Sequence, residues 1–155
     1  METLHPNVRF VWVGGAVAFA AVIAGVGLLA GQVLSLLPVG LEVVGGVAGA
    51  VAVLLGVHAL LRYRVWGFDV EEDALFLRRG VLTSVETAVP YVRVQHVDTR
   101  RSPLERLAGL SSVVVYTAGS RGADVTIPGL RPERARELRE QLRALAIESE
   151  PGDAV

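Results

Sequence analysis

The sequence predicts a two-helix transmembrane hairpin followed by a mainly-β domain. That domain is expected to hold six to seven antiparallel strands in a partly open barrel, closed by a C-terminal α-helix. Three observations lead there. Residues 10–61 of the 155 carry one charged side chain, Glu42. From Arg62 the chain changes to short, charge-rich runs with strand-like alternation. Its last long run, from Pro132, changes again to helical spacing.

A bilayer is crossed by about 20 apolar residues in a helix, and this stretch is long enough to do so twice. The spans are expected at about 10–36 and 41–61, with Pro38 and Gly40 marking the turn. A connection limited to residues 37–40 makes the helices antiparallel neighbours and brings both chain ends to one side. The first apolar run leads straight into a second, which fits an anchor and not a removable signal peptide. Arg9 precedes the first span, Arg62 and Arg64 follow the second, and the turn has no basic residue. Positive flanks favour the cytoplasm, so a multi-pass cell-membrane protein is expected, with residues 1–9 and the β domain both cytoplasmic. Trp12, Arg62, Tyr63, Arg64 and Trp66 are the expected anchors at the membrane–water interface. Glu42 lies beside the outer turn, where it can reach water.

Gly27 with Gly31 and Gly45 with Gly49 form two small-xxx-small pairs. Their separations from Pro38 match, so they are expected to lie at one depth and let the two helices approach. A homodimer seam is the alternative use of the same glycines. His58, alone near the end of the second span, reads as an interfacial hydrogen-bonding side chain.

The domain is expected over residues 62–147. Tyr63–Val70 reads as a first strand, residues 71–73 as an acidic turn, and Ala74–Arg79 as the return strand ended by Gly80. Residues 84–89 form a third strand, ended by Pro90. Residues 92–99 form a fourth, with a switch of face that suggests a bulge near Gln95 and His96. A helical turn is expected at 104–107. Residues 112–117 are a strongly β-favouring run with apolar side chains on both faces; a face left uncovered by the domain would have to meet another protein. A glycine-containing loop at 118–123 leads to a last strand at 124–127, and Pro128 and Gly129 pass the chain into a helix. Pro132 suits the first helical position. Ala135, Leu138, Leu142 and Leu145 form its apolar stripe. Residues 148–155 read as a flexible tail. Short antiparallel strands followed by one amphipathic helix make the architecture of a pleckstrin-homology-like (PH-like) module, the helix burying its stripe on the open sheet.

Several short motifs carry a resemblance. Val89-Pro90-Tyr91-Val92-Arg93-Val94-Gln95-His96-Val97 resembles the central segment of bacterial PH-like membrane proteins of the YdbS-like family. Leu104-Glu105-Arg106-Leu107-Ala108-Gly109-Leu110 resembles that family's short helix and glycine. Thr117-Ala118-Gly119 and Ile127-Pro128-Gly129-Leu130 resemble its later strand ends, and Leu4-His5-Pro6 its opening. The resemblance implies a cytoplasmic domain on a two-helix anchor and implies no enzymatic activity. It also suggests a partner, a homo-oligomer or another PH-like membrane protein.

Composition excludes several functions. There are no cysteines, which removes disulfides and thiolate metal sites. The three histidines lack metal-site spacing, so neither metal nor cofactor is expected. A net charge of −1 gives no support to nucleic-acid binding. All fifteen basic residues are arginine, which reads as compositional bias. His96 and Asp98 share a strand face with Ser102 nearby, but no nucleophile motif supports a hydrolase. Residues 71–73 read as a solvated turn and not as metal ligands. Arg78, Arg79, Arg100 and Arg101 are the candidate contacts for anionic lipid or a partner, with solvated faces and ion pairs as the alternative. The expectation is a non-enzymatic interaction scaffold or assembly subunit; the alternative is a sensor of anionic headgroups.

Overall fold

The computed structural model describes residues 1–34, 40–119 and 124–149. Pro38 and the rest of the turn before Gly40, residues 120–123 of the expected loop, and the tail from residue 150 lie outside the described residues. The chain forms two compact units, one of Arg9–Arg64 and one of Met1–Val8 together with Val65–Val155.

The helical unit contains most of α1 (Val8–Leu34) and α2 (Leu41–Val65). Their candidate spans have mean hydropathies of 2.3 and 2.2. A helix satisfies its backbone donors and acceptors internally, as hydrocarbon requires. The apolar side chains face outward on both helices, Phe10 at 68% and Leu54 at 69% exposure among them. Cross-helix contacts show the antiparallel arrangement. The Arg62 guanidinium lies 4.3 Å from the Trp12 ring centre, and that of Arg9 lies 5.4 Å from the Tyr63 ring. These contacts place Trp12, Arg62 and Tyr63 together at one end of the hairpin.

Two expectations are corrected here. A Cβ on Gly27 would sit 3.3 Å from Val44 Cγ1, whereas one on Gly31, Gly45 or Gly49 would meet nothing within 4 Å. Among the described residues, Gly27 is thus the one glycine of the two pairs seen to lie against the opposite helix. Equal distance from the turn sets depth, but it does not set rotation about each helix axis. The first strand also begins later than Tyr63. Helix α2 continues to Val65, with Arg62 and Arg64 in its last turn, where cations complement the helix C-terminus.

The β unit holds two antiparallel sheets. One has the order β1 (Glu2–Thr3), β2 (Gly67–Val70), β3 (Ala74–Arg79), β4 (Val85–Pro90). The other has the order β5 (Val94–Arg100), β6 (Ser111–Thr117), β7 (Val125–Leu130). The β3–β4 turn needs Gly80, whose φ is +101° and where a Cβ would collide with the Thr83 carbonyl. A 3₁₀ turn, Tyr91–Arg93, joins the two sheets, and the register shift between Val94 and His96 is the expected bulge. Strand β7 runs on through Pro128 and Gly129 instead of ending at Ile127. It is an edge strand, where a proline's missing N–H forfeits little.

Strand β1 has no counterpart in the sequence reading, which sets residues 1–9 apart from the domain. Glu2 pairs with Phe68 and Thr3 with Gly67. The arm then crosses to the other sheet, where the His5 N–H donates to the Gly129 carbonyl at 2.9 Å. Leu4 and Val8 are buried at 2% and 1% exposure. In sequence, the helical hairpin is thus an insertion between the first and second strands of the β unit.

Helix α4 (Pro132–Glu148) packs on β5, β6 and the 3₁₀ turn. It buries Ala135, Leu138 and Leu142 completely, in line with the apolar stripe. Strand β6 is buried on both faces, through Val113, Val114 and Val115. The uncovered face considered from its sequence does not exist.

Candidate interaction site

The motif residues act in the fold. Tyr91 is fully buried, and its hydroxyl donates to the Glu71 carbonyl at 2.8 Å, pinning the acidic turn against the 3₁₀ turn. Burial, followed by the charges of Asp73 and Glu71, pushes that hydroxyl's pKa above its ordinary value. Leu110 and Ile127 belong to the core, and the Ala118 N–H donates to the Arg93 carbonyl at 2.8 Å. The Asn7 side-chain amide donates to the Ala108 carbonyl at 3.3 Å, tying the N-terminal arm to the short helix α3 (Pro103–Leu107).

Ser102 is a helix N-cap. Its hydroxyl accepts from the Glu105 N–H at 3.2 Å, and the Glu105 carboxylate accepts from the Ser102 N–H at 2.8 Å. The other carboxylate oxygen takes a short hydrogen bond from the Ser112 hydroxyl. Reciprocal capping of this kind is readable in Ser102-Pro103-Leu104-Glu105, a signal that the hydrolase comparison overlooked. His96 Nε2 and Asp98 Oδ1 do meet, at 2.9 Å, but both side chains are exposed and Ser102 is engaged elsewhere.

The four candidate arginines divide between the sheets. Arg78 and Arg79 end β3, and Arg78 faces Glu86 across the ladder with Nε 3.7 Å from the carboxylate. Arg100 ends β5 and donates to the Tyr116 hydroxyl at 2.6 Å. Arg101 donates to the Leu110 carbonyl at 3.2 Å and borders a hollow of about 340 Å³ with Glu105 and Ser112. Trp66, expected at a lipid interface, is 3% exposed and lies edge-on to Phe68 with ring centres 6.4 Å apart. It belongs to the core of the β unit, because the strand that starts at Gly67 draws its neighbour inward.

A larger groove, of about 590 Å³, lies between β5 and α4. Residues 94–98 line one wall and Arg139, Arg143, Ala146 and Ile147 the other. Sequence reasoning passed over these helix positions, since they are the polar flank of an amphipathic stripe and nothing local separates a binding wall from a solvated face.

Residues 8–146 match the model of the Bacterial PH domain. The chain belongs to that family. It is also 34% identical over 108 residues to the transmembrane protein YdbS of Bacillus subtilis (strain 168), an alignment spanning 66% of each protein. No solved structure matches. The family assignment agrees with the two sheets and closing helix, and the relative agrees with a membrane protein of two candidate spans. In this bacterial PH chain the matched segment begins at Val8, so strand β1 precedes it.

Proposed function

We propose that this bacterial PH protein is a non-enzymatic scaffold or assembly subunit, presenting its β unit to protein partners at the cytoplasmic face of the membrane. The carrying observation is a contrast within the β unit. Three of the four candidate headgroup arginines already contact groups of the unit itself, whereas Leu82 and Leu107 stand 95% and 87% exposed. The arginines' existing contacts weigh against an anionic headgroup, and the exposed leucines offer apolar surface that a protein partner can cover. Arg9, Arg62 and Arg64 at the chain crossings support the inward orientation.

Cross-linking in native membranes followed by mass spectrometry tests the scaffold reading: a defined oligomer or hetero-complex is expected, and monomer alone at every linker length would end it. Protease added outside intact cells should leave α4 uncut; its cleavage would reverse the topology. Headgroup sensing is the second reading, favoured by the adjacency of Arg100 and Arg101 where β5 ends. Salt-sensitive flotation of the full chain with anionic vesicles, lost in the double variant Arg100→Ala and Arg101→Ala, would place it first.

A further inference from the structure

The groove between β5 and α4 has the properties of a strand-accepting site. Strand β5 is the outer strand of its sheet and, among the described residues, pairs with β6 alone. A hollow against one face of a strand touches alternate residues, because successive side chains point to opposite faces. Beyond the bulge, where alternation holds, this one touches three consecutive residues, 96–98, so it reaches round the strand's edge, where backbone N–H and C=O groups lack a strand partner among the described residues. The bulge between Val94 and His96 and the His96–Asp98 pair make that edge irregular, which discourages indiscriminate pairing.

The opposite wall supplies chemistry. Arg139, Arg143 and Ile147 are spaced four residues apart on one helix face, about 6 Å per step. Side chains two apart on a strand are separated by about 6.6 Å, so alternate residues of an added strand match that spacing. Among the described residues Arg143 has no ion pair, and Arg139 reaches only its exposed neighbour Glu140, at 3.4 Å. Among the described residues the one carboxylate lining the groove, that of Asp98, is held by His96. Ile147 is 62% exposed and offers apolar contact at the far end of the wall.

We propose that this groove binds an extended acidic segment of a partner protein, added as a further strand on the free edge of β5. Two carboxylates on alternate residues pair with Arg139 and Arg143, and an apolar side chain two residues beyond covers Ile147. The occupant's pattern is therefore acidic-x-acidic-x-apolar, read in one of the two chain directions. Main-chain pairing supplies affinity and the side-chain contacts supply specificity. The proposal rests on the protein-interaction reading above and names its surface and the partner's chemistry.

The test uses the full chain in nanodiscs of zwitterionic lipid, presented with a displayed library of random heptapeptides. Peptides with the acidic-x-acidic-x-apolar pattern should be enriched over an Arg143→Glu counter-selection. A synthetic copy of the leading peptide should bind the native chain about tenfold or more tighter than Arg143→Glu, and should weaken on Ile147→Asp. N-methylation of its amides should abolish binding, and the peptide should slow hydrogen exchange within residues 94–98. No enrichment over the Arg143→Glu variant, enrichment of peptides without acids, or protection elsewhere would overturn the proposal. Binding of anionic vesicles that depends on Arg143, with no peptide enriched, would assign the wall to lipid and also overturn it. A membrane cross-linked complex unchanged by both variants would leave the scaffold reading standing and remove this site from it.

Discussion

Glu2 and Arg134, 132 positions apart, are joined by two hydrogen bonds, Nε to Oε1 at 2.8 Å and Nη2 to Oε2 at 2.6 Å. The pair fastens β1 to the first turn of α4. Each side chain is about one-third exposed, so solvent screens the attraction and the net contribution is about 1 kcal/mol. Glu2→Gln and Arg134→Ala should each lower the thermal midpoint by a few degrees, and the double variant should lose less than their sum. Arg134→Lys should not restore the loss, because an ammonium cannot span both carboxylate oxygens.

Gly129 combines a φ of +65° with a Cβ position 2.6 Å from Val8 Cβ. Gly129→Ala should therefore destabilise by more than about 2 kcal/mol, the left-handed backbone and the overlap each adding about 1 or more. Val8→Gly in the same chain, compared with Val8→Gly alone, should recover part of that loss, since it removes both overlapping atoms, Cβ and Cγ2, and leaves the backbone strain. Denaturant unfolding of the three variants separates the two contributions.

The raised hydroxyl of Tyr91 sets a prediction at high pH. In the unfolded chain it ionises near its ordinary value of 10.0, and in the folded chain above it. The stability it contributes is thus fully present below about pH 10 and is lost as pH rises toward the folded value. Tyr91→Phe should flatten the thermal-midpoint profile above pH 10 relative to the native chain. At neutral pH it should cost about 1 kcal/mol for the lost bond to Glu71.

Because β1 belongs to the β unit, a fragment of residues 65–149 should be unstable. It would leave the β2 edge unpaired and the sites of Leu4 and Val8 empty. A chain with residues 9–64 replaced by a short glycine-serine linker should fold cooperatively and show native-like near-UV circular dichroism. If both fragments melt alike, the N-terminal arm contributes nothing to stability.

Much of this architecture was legible in the sequence. The hairpin was, because a bilayer demands a length of apolar chain that few other environments produce. Strand β3 was, because the acidic turn before it and Gly80 after it punctuate an alternating run. The bulge at Gln95 showed as a change of face. Strand β1 was not, since Glu2 and Thr3 carry no pattern and their partners lie more than sixty residues away. Helix rotation hid the true setting of Gly31, Gly45 and Gly49, and Trp66 read as an interface ring because its burial depends on tertiary packing. The groove at Arg139 and Arg143 was illegible because those residues also satisfy the rule for a solvated helix face.

The insertion of the hairpin after β1 orders events during synthesis. Residues 1–8 are made first, yet the strand they must join follows both apolar helices, and Arg134 is made later still. The β unit therefore cannot close until the chain has passed through both helices. Completion of the sheet by its earliest residues makes a finished β unit a record that the whole hairpin before it has been synthesised.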